Sequence, residues 1–353
     1  MTRTEIEDIL RLAINAPSGE NCQPWYFKVS QNTISVFNDP ERDQSLYNFN
    51  QRGSLVAHGA LIKNIKLSAA KYGYSADVSI LPDSSEQNCT AKISFTEDKN
   101  NNAGLAKYIL LRSTNRRPFK KQRIPETQIT ELLNSSENIG NGKIFITQEP
   151  EKISILASAS SVNERVMFSN KLLHQFFFSH LNWTENEEKT RRQGFYIKTL
   201  ELPAPAVAAL KLMRHWNVIR FFNKLGFAKV VALGNAQTYA ACAAMASIVI
   251  ENDSPANFIG AGEKMQHLWL TATKLGLSLQ LMTGVLFFKQ RIFQTDGNEF
   301  SVFQTKLIKH AYEDIKKTLG VTDGIVTLLF RIGYADPPSA KSLKQEPRIS
   351  FLQ

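Results

Sequence analysis

An α+β fold built as two similar halves is what this 353-residue chain predicts, and three observations carry the prediction. Gly59-Ala-Leu-Ile-Lys-Asn-Ile-Lys-Leu-Ser-Ala-Ala-Lys-Tyr-Gly73 lies over Gly262-Glu-Lys-Met-Gln-His-Leu-Trp-Leu-Thr-Ala-Thr-Lys-Leu-Gly276 at a constant offset, 262 − 59 = 203. Leu67 falls on Leu270, Ala69 on Ala272, Lys71 on Lys274 and Gly73 on Gly276. Both segments are apolar at helical spacing and stop at glycine. One register through helix and stop is the mark of an internal duplication. A β-rich segment follows each helix, 76–81 in the first half and 325–332 in the second. The third observation is the N-terminal order: an amphipathic helix, a small polar loop, then a strand.

In chain order, that loop is Ala16-Pro-Ser-Gly-Glu-Asn-Cys-Gln-Pro-Trp25, followed by the strand-like run Tyr26-Phe-Lys-Val29. Pro24 has a fixed φ and no amide hydrogen, so it starts the strand cleanly. The polar, Asn-rich stretch 98–102 is a natural boundary, giving halves at 1–103 and 104–353. The second half is longer because of an insertion near 174–226, rich in aromatic and basic residues. Residues 336–347 hold three prolines without periodicity and read as an extended arm.

Composition narrows the function. A 43% hydrophobic content supports one large core or two moderate ones. The net charge, 42 − 32 = +10, favours anionic ligands such as nucleic acid, anionic membrane or phosphorylated cofactors. Cys22, Cys89 and Cys242 are too few and too far apart for a disulfide framework or a zinc site, and the six histidines lack metal spacing, so no metal is expected. Glu5, Glu7 and Asp8 rule the first twelve residues out as a signal peptide, which points to a cytoplasmic protein. The one candidate membrane span, 230–250, carries Asn235, Gln237, Thr238, Tyr239 and Ser247 and reads instead as a helix crossing the interior. Lys211, Arg214, Trp216, Arg220, Phe221, Phe222 and Lys224 interleave bases with aromatics, as a nucleic-acid or anionic-membrane surface does. The apolar residues between them fit a packed helix equally well, and neither nucleic acid nor membrane is the expected partner.

Four segments carry candidate chemistry. In the opening loop, Ser18, Asn21 and Gln23 offer neutral hydrogen-bonding groups suited to an uncharged heteroaromatic ring. In Leu111-Arg-Ser-Thr-Asn-Arg-Arg-Pro-Phe119, Arg112, Arg116 and Arg117 with Ser113, Thr114 and Asn115 can surround a phosphate. Leu275-Gly-Leu-Ser-Leu-Gln-Leu-Met-Thr-Gly284 presents Thr283 and Gly284 at a turn whose amides could reach a ring nitrogen. Leu328-Leu-Phe-Arg-Ile-Gly-Tyr334 reads as a core strand, and Arg348 sits downstream on the arm. No catalytic acid–base or nucleophile set is present, and no Gly-x-Ser-x-Gly elbow. Ile259-Gly-Ala-Gly-Glu-Lys-Met265 fails as a dinucleotide fingerprint, and Gly140-Asn-Gly-Lys143 fails as a P-loop.

In this order the four segments resemble the FMN-dependent nitroreductase superfamily, in its fused, pseudo-dimeric Acg-like form. The resemblance implies central helices packed on mixed or antiparallel sheets and one FMN per chain at an internal interface. The first half has the Gln-Pro-Trp loop without a matching Arg motif; the second has the motif without the loop. By that resemblance Arg112, Arg116, Arg117 and Arg348 hold the phosphate, with Asn115 among them, and which of 112–117 touches it stays open. Ser18, Asn21 and Gln23 face the ring or ribityl chain, and Thr283 and Gly284 lie near flavin N5. The implied activity is hydride transfer from NAD(P)H through FMN to a small acceptor, a quinone or nitroaromatic. The flavin carries the chemistry, in a monomer or homodimer. The alternative is a flavin-sequestering protein, the insertion with Phe176-Phe-Phe178, Trp183, Arg191-Arg192, Phe195 and Tyr196 serving as a lid.

Overall fold

A computed structural model describes residues 1–82, 86–294 and 298–352. The chain begins with α1 (Arg3–Ala13), β1 (Trp25–Ser30), β2 (Thr33–Asn38), α2 (Arg52–Lys71), β3 (Tyr74–Ile80) and β4 (Cys89–Glu97). It continues through α3 (Glu126–Ser136) and β5 (Lys143–Thr147). A long excursion follows: α4 (Pro150–Ser160), α5 (Val162–Ser169), α6 (Lys171–Ser179), β6 (Leu181–Asn182), α7 (Glu185–Arg191), β7 (Phe195–Tyr196), α8 (Ala204–Met213), α9 (Trp216–Lys224) and α10 (Phe227–Ala240). The chain returns through β8 (Ala244–Ile250), α11 (Pro255–Lys274), β9 (Ser278–Leu281), α12 (Gly284–Gln294), α13 (Val302–Leu319), β10 (Ile325–Gly333) and β11 (Ile349–Phe351).

The duplication is visible in the strand order. One sheet runs β11-β1-β2-β4-β3 and the other β5-β8-β10-β9, so without β11 the two share one plan. The 203-residue offset holds at both ends of the long helices, since 52 + 203 = 255 and 71 + 203 = 274. The sequence pairs the strand after α2 with 325–332, and this needs correction. The counterpart of β3 is β9, which follows α11 at once, while β10 matches β4. β9 is only four residues long, and α12 and α13 separate it from β10, so its signal is hidden in what reads as a turn.

The two long helices form the centre. Both are buried along nearly their whole length, α2 from Ser54 to Ile65 and α11 from Phe258 to Gln266. Together with the inner faces of both sheets they make one core, including Phe27, Ile62, Phe258, Trp269 and Phe330. A helix buried on all sides needs small residues where it meets another, and Gly59 and Gly262 lie at this contact. A second core, with Leu156, Val166, Leu286, Phe288 and Ile308, lies beneath the excursion between β5 and β8.

Residues 230–250 do not form one helix through the interior. They divide into the end of α10, where Val230 and Leu233 are exposed, and β8, every residue of which is buried. The apolar run continues because a central strand buried on both faces reads like a buried helix. Among the described residues no helix is long and apolar enough to cross a membrane. The arm after Gly333 is irregular, as its prolines predict, and ends in β11. That strand pairs in parallel with β1, Phe27 opposite Ile349 and Val29 opposite Phe351. Chain from the end of the second half thereby completes the sheet of the first.

Candidate functional site

The loop between α1 and β1 is locally costly. Glu20, Asn21 and Gln23 all have positive φ, 43°, 54° and 52°. Three non-glycine residues in that region within four positions persist only where surrounding contacts hold them. Those contacts are explicit. Gln23 N donates to Ser18 Oγ (3.0 Å), and Gln23 Nε2 donates to the Arg192 carbonyl (2.7 Å). Gln23 Oε1 accepts from Gln345 N (2.9 Å). Asn21 Nδ2 donates to the Leu343 carbonyl (2.9 Å), and its Oδ1 accepts from Lys344 Nζ (2.8 Å). From behind, buried His58 bonds the Pro24 carbonyl and Thr90 Oγ1, both at 2.8 Å, and burial holds its pKa down at about 4. It is a satisfied core histidine that fixes the loop.

The predicted arginines divide by environment. Arg112 reaches the loop: its Nη2 donates to the Asn15 carbonyl (3.0 Å) and its guanidinium lies 4.5 Å over the Trp269 ring. Its Nε is buried and has no hydrogen-bond partner. Burial alone brings its pKa down to about 10. Arg116 donates to the Thr199 carbonyl (3.1 Å) and covers Phe195. Arg117 is engaged by Glu201 (3.2 Å) and Ser339 (2.8 Å). Asn115 is a staple: its amide donates to Leu279 O, and its side chain donates to Ser278 Oγ and Asp336 O.

Arg348 stands apart. It pairs with Asp39 (2.7 Å), donates to the Trp25 carbonyl (2.8 Å) and covers the Tyr26 ring, on the β1 side of the loop and not beside Arg112. Two arm residues that the sequence reading passed over take the place beside Arg112. Lys344 Nζ, surrounded by protein, also donates to the Ala16 carbonyl (2.9 Å), and Lys341 Nζ donates to Leu110 O and Leu111 O. Burial and then the charge of Arg112 bring the Lys344 ammonium down to about 7; Lys341 is lowered for the same two reasons. Among the described residues none of these three cations has a carboxylate at ion-pair distance, and Glu188 acts on Lys344 only as a lesser field. Three cations sharing one neighbourhood with an unused donor could hold an anion. The available signal was the Lys-Ser-Leu-Lys spacing within the arm, read only as extended chain.

A second polar group lies under the excursion. Burial pushes the Glu20 carboxyl up to about 8, Asp43 adding repulsion and Arg116 opposing it. Glu164 on α5 is raised to about 7 by burial, against hydrogen bonds from Asn163 and Tyr239. Tyr239 OH donates to Glu164 Oε1 (2.9 Å), while Glu164 Oε2 has no partner. Tyr47, from the first half, feels both Glu20 and Glu164 and stacks on Phe288 of α12. Glu20, Tyr47, Arg116 and Glu164 form one electrostatically linked group, with Tyr47 raised by both carboxylates and Glu20 opposed by Arg116. Thr283 and Gly284 open α12 at this place. A Cβ on Gly284 would stand 2.0 Å from Asn163 Oδ1, so the start of α12 packs directly on the Asn163 side chain.

The excursion and the arm close over this region. Gly194 N donates to the Glu20 carbonyl (2.9 Å), and Arg42 donates to Gln193 Oε1 (3.2 Å). The corresponding connection in the second half, between α3 and β5, packs backbone to backbone on α11. There Gly140 sits where a Cβ would come within 2.1 Å of the Gly260 carbonyl. Two surface hollows, about 380 Å³ near Glu126 and Thr318 and about 450 Å³ beside Arg348, lie outside this constellation.

The chain is 23% identical over 341 residues to an uncharacterised Mycobacterium tuberculosis protein, MT1398, covering 96% of this chain and 47% of that one. It is 27% identical over 184 residues to Acg of the same organism, provisionally named an NAD(P)H nitroreductase, covering 50% and 54%. The chain thus spans about half the length of the curated relatives it matches. No family model matches. Among solved structures, an FMN-dependent nitroreductase from Clostridium difficile R20291 gives a TM-score of 0.39 at 13% identity, covering 70% of this chain and 98% of that one. NfnB from Mycobacterium smegmatis, solved with NADPH, gives 0.38 at 14% identity, covering 66% and 89%. Likeness that distant carries no argument about the site.

Proposed function

We propose, for a chain that is an Acg-related protein of nitroreductase-like, internally doubled fold, that it binds one FMN between its halves and serves as an NAD(P)H-dependent oxidoreductase for a small acceptor, a quinone or nitroaromatic. The carrying observation is the unpartnered, buried Nε of Arg112 beside Lys341 and Lys344. These donors fit a phosphate ester, and they support Arg112 over Arg116 and Arg117, whose guanidinium groups are engaged elsewhere. Arg117 and Asn115 act as positioning residues, and Arg348 anchors the arm.

When bound, the flavin supplies the hydride chemistry, taking two electrons from NAD(P)H and passing them on. The chain's own residues bind, orient and exclude water. Ser18 and the strained loop would face the ribityl chain, with Arg116 and the first amides of α12, after Thr283, toward the ring. Asn21 and Gln23 shape this wall through the arm and the Arg192 carbonyl. Glu164, with its carboxyl near neutral and Tyr239 donating to it, can hold a proton at Oε2 beside α12. We place the boundary of the halves at 103/104, and the protein in the cytoplasm as a monomer or homodimer.

One observation favours the storage reading: the excursion and the arm together seal the loop. Anaerobic NADPH separates the two. Rapid bleaching of the bound flavin supports the reductase. A flavin that dithionite bleaches and neither NADPH nor NADH does supports sequestration instead.

A further inference from the structure

We propose that the outward faces of α9 and α10, flanked by α8, bind the surface of an anionic lipid bilayer. The sequence weighs these residues as a packed helix, and the structure packs only one side of them. On α9, Ile219 is fully buried, and Trp216 and Phe222 pack on the second core. Phe221 and Leu225, one turn apart on another side, are 60% and 72% exposed. An amphipathic helix at a protein surface needs one apolar face, and α9 has two. Both α9 and α10 lie against α5, so their exposed residues point away from it. On α10, Val230 and Leu233 are more than half exposed, and Leu212 at the end of α8 is similarly bare. Large apolar residues grouped this way on a soluble surface mark an interaction site.

The charge names the partner. Between Glu201 and Glu251 the chain holds no Asp or Glu, while Lys211, Arg214, Arg220, Lys224 and Lys229 are all exposed. Arg220 and Lys224, each one residue before Phe221 and Leu225, border the exposed apolar pair on the same helix. Long basic side chains beside inserted apolar groups reach naturally to lipid phosphates. A second copy would set like charge against like charge with no acid between. Nucleic acid would use several stacking faces, and of the five exposed apolar residues here Phe221 alone offers one, against Leu212, Leu225, Val230 and Leu233.

The test is flotation of the full chain with vesicles of equal parts phosphatidylglycerol and phosphatidylcholine, against pure phosphatidylcholine. Binding to the anionic vesicles alone, weakened by salt, is the expected result. Arg220→Gln with Lys224→Gln should weaken it roughly 25-fold, about fivefold per charge. Phe221→Ser with Leu225→Ser should reduce it at least tenfold, with thermal midpoint and circular dichroism unchanged, because both residues are exposed. Failure to bind anionic vesicles overturns the proposal, as does equal binding to both kinds. Unaltered binding by either variant overturns it too, as does concentration-dependent dimerisation lost in both.

Discussion

Gly59 of α2 and Gly262 of α11 occupy equivalent places across a pseudo-two-fold axis, each against the carbonyl of the other's helix. A Cβ on Gly59 would stand 1.8 Å from Ile259 O, and one on Gly262 would stand 1.9 Å from Val56 O. The pairs are reciprocal, since 56 + 203 = 259 and 59 + 203 = 262. That reciprocity is the signature of an isologous contact, here between two halves of one chain. Neither glycine is replaceable without parting the helices. Gly59→Ala or Gly262→Ala should each cost about 3 kcal/mol by urea denaturation, and the double variant less than the sum, because one displacement relieves both. A loss near zero in either single variant contradicts the packing.

How much of this was legible in the sequence depended on whether the signal was local. The 203-residue offset was, because the helix contact constrains small and apolar residues in both copies alike. The equivalence of β9 with β3 was not, because four residues carry too little pattern. Arg112 was legible as one of three arginines; what singles it out is the neighbouring charge of Lys341 and Lys344, some 230 positions on, which folding alone brings near. Asn21 and Gln23 were legible as polar loop residues, but their partners Leu343, Lys344, Gln345 and Arg192 are set by folding alone.

Arg112→Ala should weaken flavin binding about 10- to 100-fold, the range of a lost charge-assisted hydrogen bond, beyond what the lost Asn15 and Trp269 contacts cost the fold. Isothermal titration with FMN reads this directly.

Lys344 gives that affinity a pH dependence. Its ammonium is held down at about 7, so it attracts phosphate below that pH and is neutral above it. Flavin affinity should therefore fall as pH rises from 7 to about 9, and Lys344→Gln should flatten the profile. A profile that keeps its slope in the variant assigns the effect elsewhere.

Glu164 makes a prediction about stability. Its folded carboxyl sits at about 7, against an ordinary 4.5. Between those values the folded chain keeps a proton that the unfolded chain has released, so its contribution is full at low pH and is lost as pH rises to 7. Glu164→Gln does not titrate. The variant's urea midpoint should gain on the parent's from about pH 4.5 to 7 and gain nothing further above it.

Asn21 joins the loop to the arm. Asn21→Ala removes the acceptor for Lys344 and the donor to Leu343. The expected result is a loss of about 1–3 kcal/mol and faster proteolysis within residues 340–348, seen by mass spectrometry of timed digests. An arm as protected as in the parent would show that other contacts suffice.

The central claim is one flavin per chain, held between halves that were once equivalent. Titrating the purified full chain with FMN, followed by the visible absorption of the bound flavin, tests it most directly. Saturation at one equivalent is predicted, because the Gln-Pro-Trp loop and the Arg112–Arg117 motif each occur once, in different halves. Saturation at two equivalents, or a chain that stays colourless in excess FMN, would contradict it.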